Sequence, residues 1–307
     1  MDIRRLPTSQ GMVWFRQAID LGAKNPRAVF GASLLVIGAL YATALLMAVV
    51  ISALAVGGKA AGKAPDLGMA LAIALPMTLL LMLLVPVLLG GLMHVVREAE
   101  SGRPVRALDV FTTLQHADGR RLAWLGLVQV GLAVAGGLLT VAITGSDYWR
   151  DYLSVMQAAM QGAVQAMPEP KHPGLLFLVQ MLFNYFSYAM MLFAIPLMLF
   201  SRSGLVDALR AALRASVRNP GANLLAGVLF IAALIVAAIV VALITMLVTL
   251  LGSMIHPTLG AILAMLVMVA FAAVVLVLIV GATYLAWRDT FGDAQPPEVQ
   301  PVHGFEA

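Results

Sequence analysis

The sequence predicts an all-α polytopic membrane bundle of six transmembrane helices, and three observations carry that expectation. Hydrophobic residues make up 62% of the 307 and charged residues only 11%, where a soluble domain is about half apolar and about a quarter charged. Burial saturates with chain size, so an aqueous protein of this length could not cover so much apolar surface. The second observation is that the charges sit in short blocks between long uncharged runs. The third is that lysine and arginine divide very unequally between alternate blocks.

The runs set the spans. Between Arg27 and Lys59 lie 31 residues without formal charge, between Asp66 and Arg97 lie 30, and between Arg121 and Asp147 lie 25. Pro173 to Ser201 adds 29, and Asn219 to Trp287 runs for 69 with His256 alone interrupting it. A helix needs about 20 apolar residues to cross the hydrocarbon core. The first four runs therefore hold one crossing each. The fifth holds two, broken near Gly252 to Pro257, where glycine and a pre-proline residue disfavour continued helix. The expected spans are 29–55, 68–93, 122–144, 174–200, 222–250 and 258–286, within one membrane domain over 1–290. Residues 291–307 are expected to form a disordered tail.

Orientation follows from the basic residues. With the N-terminus inside, the blocks on that side hold 15 of the 19 lysines and arginines; only Lys59, Lys63, Arg150 and Lys171 fall on the other. That is a positive-inside pattern with both ends in the cytoplasm. The same distribution removes the nucleic-acid reading of a pI near 9.6, since no extended basic domain exists. The first 27 residues lack the short apolar core and small-residue cleavage site of a signal peptide.

Outside the spans the periodicity predicts amphipathic interfacial helices. In 8–24, Met12, Phe15, Ile19 and Gly22 share a face opposite Arg16, Asp20 and Lys24. In 203–218, Val206, Leu209, Leu213 and Val217 form an apolar stripe against Arg210, Arg214 and Arg218. A weaker helix over 105–118 offers Leu108, Phe111 and Leu114. Each precedes an odd-numbered span on the cytoplasmic side, and Lys24-Asn25-Pro26 matches Arg218-Asn219-Pro220 at the same point. This suggests three parallel units of interfacial helix, span and return span. In each Asn-Pro pair the asparagine leaves helical geometry and the proline suits the first turn of the next helix, which makes a sharp elbow. A fourth interfacial helix is expected on the outer side over 147–167, with Trp149, Tyr152, Leu153 and Met156 on its apolar face.

The string Gly90-Gly91-Leu92-Met93-His94-Val95-Val96-Arg97-Glu98-Ala99-Glu100-Ser101-Gly102-Arg103-Pro104-Val105, leading to Leu108-Asp109-Val110-Phe111, resembles the segment after a span in a family of uncharacterised integral membrane proteins of Gram-negative bacteria. The opening Trp14-Phe15 with Lys24-Asn25-Pro26 is similar to that family's start. The resemblance implies an inner-membrane location and a helical bundle. It implies no reaction, substrate or catalytic residue.

Site chemistry is sparse. With no cysteine, disulfides, thiolate metal sites and cysteine nucleophiles are excluded. None of the five histidines has metal-binding spacing, the carboxylates are scattered, and a glycine-rich phosphate loop is missing. The expectation is a non-enzymatic protein with no cofactor and no metal, whose partners are membrane lipids rather than nucleic acid. No charge lies within the spans, which argues against proton or ion coupling. Two features remain. One is the Arg210, Arg214, Arg218 stripe, suited to anionic lipid headgroups or simply to fixing topology. The other is a polar strip in the fourth span, Gln180, Asn184, Ser187 and Tyr188. Interhelical hydrogen bonding is the ordinary explanation of such a strip; lining a cavity for a neutral or amphiphilic solute is the alternative. Small pairs such as Ala133 and Gly137 read as close helix contacts. The expected function is structural or lipid-interacting, with a channel or carrier as the rival; an open cavity at the polar strip would favour the rival, and a closed bundle the first.

Overall fold

The computed structural model describes residues 3–60, 67–160, 163 and 166–292. The chain is helical almost throughout, and six helices are long and apolar enough to cross a membrane. In order they are α1 (Gln10–Lys24), α2 (Pro26–Ala60), α3 (Leu67–Glu100), a 3₁₀ turn (Ala107–Phe111), α4 (Thr112–Gln115), α5 (Ala117–Arg121), α6 (Ala123–Thr144), α7 (Ser146–Met160), α8 (Pro173–Leu199), α9 (Leu205–Arg218), α10 (Pro220–Ile255) and α11 (Pro257–Phe291). The expected tail lies, but for 291 and 292, outside the described residues.

Four of the spanning helices begin on a proline: Pro26, Pro173, Pro220 and Pro257. The residues before them, Asn25, His172, Asn219 and His256, all leave helical geometry, as pre-proline residues do. Several helices overrun the expected spans, α2 and α10 at both ends. α3 continues to Glu100 and α11 to Phe291, which carries Arg97, Glu100, Arg288 and Asp289 on helical backbone.

The spanning helices form three hairpins, α2–α3, α6–α8 and α10–α11, and the returning helices α3, α8 and α11 touch one another at the centre. The surface segments join these units in a cycle. α1, from the first unit, lies antiparallel to α11 of the third: Asp289 meets Gln10 and Trp14, and Gly281 faces Ala18 and Leu21. The segment before α6 lies on α3 of the first unit, where Thr113 Oγ1 donates to the Val87 carbonyl at 3.1 Å. α9 lies on α8 of the second unit, and Tyr185 donates to the Ser216 carbonyl at 3.2 Å. Each unit is thus seated on the one before it, and the first is seated on the last. Together these segments form a collar around the end that carries the basic blocks. Two seams between units are zipped by spanning helices, α3 with α6 and α11 with α2, whereas α8 and α10 are not packed along each other.

Burial is concentrated at the collar end. It takes in α2 from Ala28 to Ile37, α3 from Pro86 to Ala99, Leu122 to Gly126, Met191 to Met198, and α11 from Val277 to Thr290. Toward the far end few of the described side chains are fully buried. Glycines set the closest approaches: a Cβ on Gly91 would overlap the Val110 carbonyl, and one on Gly126 the Met82 carbonyl.

Three expectations need correction. Residues 105–118 are not one helix but a 3₁₀ turn followed by two short helical pieces, with Val110 and Thr113 buried and Leu108 and Leu114 exposed. The Asp109 carboxylate accepts the Arg106 N–H at 2.7 Å and fixes the turn that points Val110 at Gly91. The outer helix ends at Met160 instead of reaching 167; residues 166–170, with Pro168 and Pro170, are not helical. Finally, the apolar stripes expected on α1 and α9 are not their buried faces. α1 buries Gly11, Trp14, Ala18, Leu21 and Gly22, and α9 buries Ala208, Ala212, Ala215 and Ser216. Met12 and Ile19 of α1 are exposed, as are Val206, Leu213 and Val217 of α9.

Candidate functional site

A groove of about 420 Å³ opens between α6 and α8, with Met82 of α3 and Met191 of α8 at its collar end. All four residues of the polar strip, Gln180, Asn184, Ser187 and Tyr188, line it. They recur at helical spacing, so one side of α8 carries them all. Across the groove α6 presents Gln129 and Thr140. The groove exists because α6 is narrow here. Ala133 and Gly137 line it, and a Cβ on Gly137 would meet nothing within 4 Å. Within the chain Gly137 thus makes no close helix contact. Gly136 receives the edge of the Phe183 ring, where the walls meet closely.

Hydrogen bonding separates the two explanations of the strip. Gln180 Nε2 donates to Thr140 Oγ1 at 3.2 Å and ties the two helices near the far end. Thr140 in turn donates to the Gly136 carbonyl of its own helix at 3.0 Å. Among the described residues, Asn184, Ser187, Tyr188 and Gln129 have no side-chain hydrogen-bond partner. Interhelical bonding accounts for Gln180 alone. The others display an amide, two hydroxyls and a second amide to the groove. None of the groove's lining residues is ionisable apart from the Tyr188 phenol, so the groove offers hydrogen bonds without formal charge. Such a surface suits an uncharged polar group and penalises an ion, which would lose its water without gaining a counter-charge.

Gln129, Thr140 and Met82 were missed by the sequence reading. Thr140 stands eleven residues from Gln129 on α6, a separation that returns to the same side of a helix after three turns. That repeat in the third span was the available signal.

The arginine stripe is a separate surface. Arg210, Arg214 and Arg218 are all exposed, and among the described residues they make no ion pair. α9 is divided into three sectors: alanines on α8, exposed Val206, Leu213 and Val217 on one flank, and arginines beyond them. α1 has the same sequence of sectors, with Trp14, Ala18 and Leu21 inward, Met12 and Ile19 on the flank, and Arg16 and Asp20 beyond.

The collar also holds a fixed charge network. Arg288 pairs with Glu100 of α3 at 2.5 Å and with Asp289 at 3.2 Å. Asp289 accepts from Gln10 at 2.8 Å and Trp14 at 2.9 Å. All its members are engaged, which marks it as a structural clasp between three elements. Among the described residues no three His, Asp or Glu side chains converge in a manner that would hold a metal ion. Compared with known protein families, curated proteins and solved structures, the chain matches none of the three.

Proposed function

We propose that this chain is a non-enzymatic, multi-pass inner-membrane protein that binds a lipid or lipid-like amphiphile in the α6–α8 groove. The observation that carries the reading is the set of four polar side chains, Gln129, Asn184, Ser187 and Tyr188, facing a membrane-depth groove without protein partners. In hydrocarbon such groups are costly unless something hydrogen-bonds them. A groove open toward the bilayer gives an amphiphile access while its acyl chains remain in lipid. The packed collar core beneath Met82 and Met191 speaks against a continuous pore. A carrier for a free neutral solute is the second reading: the open groove at the polar strip favours it, and the apolar residues among the lining, such as Leu132, Leu139, Ile143 and Leu176, disfavour it.

The collar is placed at the cytoplasmic face, because it gathers 15 of the 19 basic residues. There the exposed apolar flanks of α1 and α9 enter the acyl boundary and Arg210, Arg214 and Arg218 meet anionic headgroups.

Native mass spectrometry of the protein released from nanodiscs tests both sites. A co-purifying amphiphile should be retained by the wild-type chain and lost by Asn184→Leu with Ser187→Ala. Replacing Arg210, Arg214 and Arg218 by Gln should reduce retention of anionic phospholipid and spare the groove's occupant. Wild-type protein that carries no amphiphile from any native lipid extract refutes the groove reading.

A further inference from the structure

The groove is long for a simple binding pocket, with polar side chains set among apolar ones along it. Gln129 to Ile143 on α6 covers about 21 Å along the helix, and the α8 wall runs beside it from Leu176 to Met191. The membrane's own position on this hairpin is marked by aromatic residues. Trp124, 58% exposed, stands at the collar end of α6, and Trp149 is exposed just past its far end, stacked on Tyr152. Tryptophans of this kind sit at headgroup level. The distance along α6 from Trp124 to Thr144 is about 30 Å, one hydrocarbon thickness. The groove therefore begins at the far headgroup level and ends less than about 10 Å short of the collar-side level.

The two sides of the molecule also differ in length. α6 has 22 residues, whereas α10 has 36 and α11 has 35. A short apolar span draws the bilayer thinner around it, and a long one tilts or thickens it. α6 already matches one hydrocarbon thickness, so the groove lies on the side where the bilayer has no need to thicken.

We propose that the groove passes the uncharged, hydrogen-bonding headgroup of a lipid between the two leaflets, its acyl chains trailing in the bilayer. Gln180 and Thr140 receive the headgroup at the far end; Asn184, then Ser187, Tyr188 and Gln129, exchange hydrogen bonds with it along the path. The chain has no phosphate-binding loop and no charge in the groove, so movement is driven only by the concentration difference between leaflets. Charged headgroups are disfavoured because no counter-charge lines the path. The proposal rests on the groove being an amphiphile site and adds transfer to it.

The test is reconstitution of the full chain into liposomes containing a glucosylceramide with a fluorophore on its acyl chain, followed by quenching from outside with dithionite. The fraction lost in the slow phase reports transfer from the inner leaflet. Transfer should exceed that of protein-free vesicles by at least about tenfold, which corresponds to a barrier lowered by about 1.4 kcal/mol. Acyl-labelled phosphatidylglycerol should not be accelerated. Gln180→Leu with Asn184→Leu should abolish the effect, and so should Gly137→Leu, which plugs open space without touching a polar group. Thr249→Val, on the opposite hairpin, should leave it intact. A flat glucosylceramide rate overturns the proposal, as does equal acceleration of both lipids. If the rate is flat while mass spectrometry still finds amphiphile lost on Asn184→Leu, binding stands and transfer falls. If retention is also absent, both fall.

Discussion

The Asn-Pro elbows look identical in sequence, yet their asparagines do different work. Asn25 Oδ1 accepts the Ala28 N–H at 3.3 Å and caps its own helix. Asn219, 3% exposed, accepts the Leu6 N–H at 2.9 Å and donates to the Arg4 carbonyl at 3.0 Å, clasping the N-terminal strap. Asn25→Ala should cost about 1 kcal/mol, as a lost cap does. Asn219→Ala should cost more, roughly 1–3 kcal/mol, because it strands a donor and an acceptor. Unfolding in mixed detergent micelles would rank them, and equal losses would refute the clasp. Glycines divide in the same way. Gly91→Ala drives a Cβ into the Val110 carbonyl and should destabilise by about 3 kcal/mol or more. Gly137→Ala enters open space and should be close to neutral for folding. The sequence presents all these glycines alike; only the approach of a distant backbone tells them apart.

For the individual elements, charge spacing located every spanning helix, because an ion inside hydrocarbon is costly enough to leave a mark on the sequence. Which face of a helix packs was far less legible. On α9 the eye goes to Val206, Leu213 and Val217, but the buried side is Ala208, Ala212 and Ala215. Lipid tails are as apolar as leucine, so a bilayer gives large side chains no reason to turn inward, and small ones permit close approach. Ala212→Leu should therefore disrupt seating on α8, while Leu213→Ala should leave the fold intact and weaken only membrane association. Protease sensitivity of the α8–α9 connection would separate the two. The groove was legible by half: the α8 strip declared itself by spacing, whereas the α6 wall depended on a gap between helices that no single span encodes.

At the scale of the whole molecule, the cyclic arrangement gives each hairpin the same sense across the membrane. Alkaline phosphatase fused after residue 60 or 160 should be active, and after 110 or 210 inactive. A swapped pattern would overturn the orientation, and with it the placing of the arginine stripe at the cytoplasmic face. The repeat is faint in residue identity but plain in the packing of two of its three units, since α1 and α9 keep the same three sectors in the same order, whereas the middle unit has a 3₁₀ turn and short pieces there. Three-fold character could be suspected from Asn-Pro and the basic blocks. That the units interlock head to tail could not, because it depends on contacts nearly the whole chain apart, such as Gln10 with Asp289.

That seating of the first unit on the last has a consequence for how the protein is made. α1 leaves the ribosome long before α11, and the surface that receives Trp14, Ala18 and Leu21 is not synthesised until α11 is complete. Until then α1 must wait at the membrane with its inward side unoccupied, held there by Met12, Phe15 and Ile19. The seating of α1 can therefore be completed only after α11 has been made, and Trp14 is a built-in reporter of that step. A chain stopped after residue 219 should insert its first four spans yet leave α1 open to protease, and supplying α10–α11 as a separate fragment should restore protection. Protection of α1 in the stopped chain would mean that the ring closes by another route.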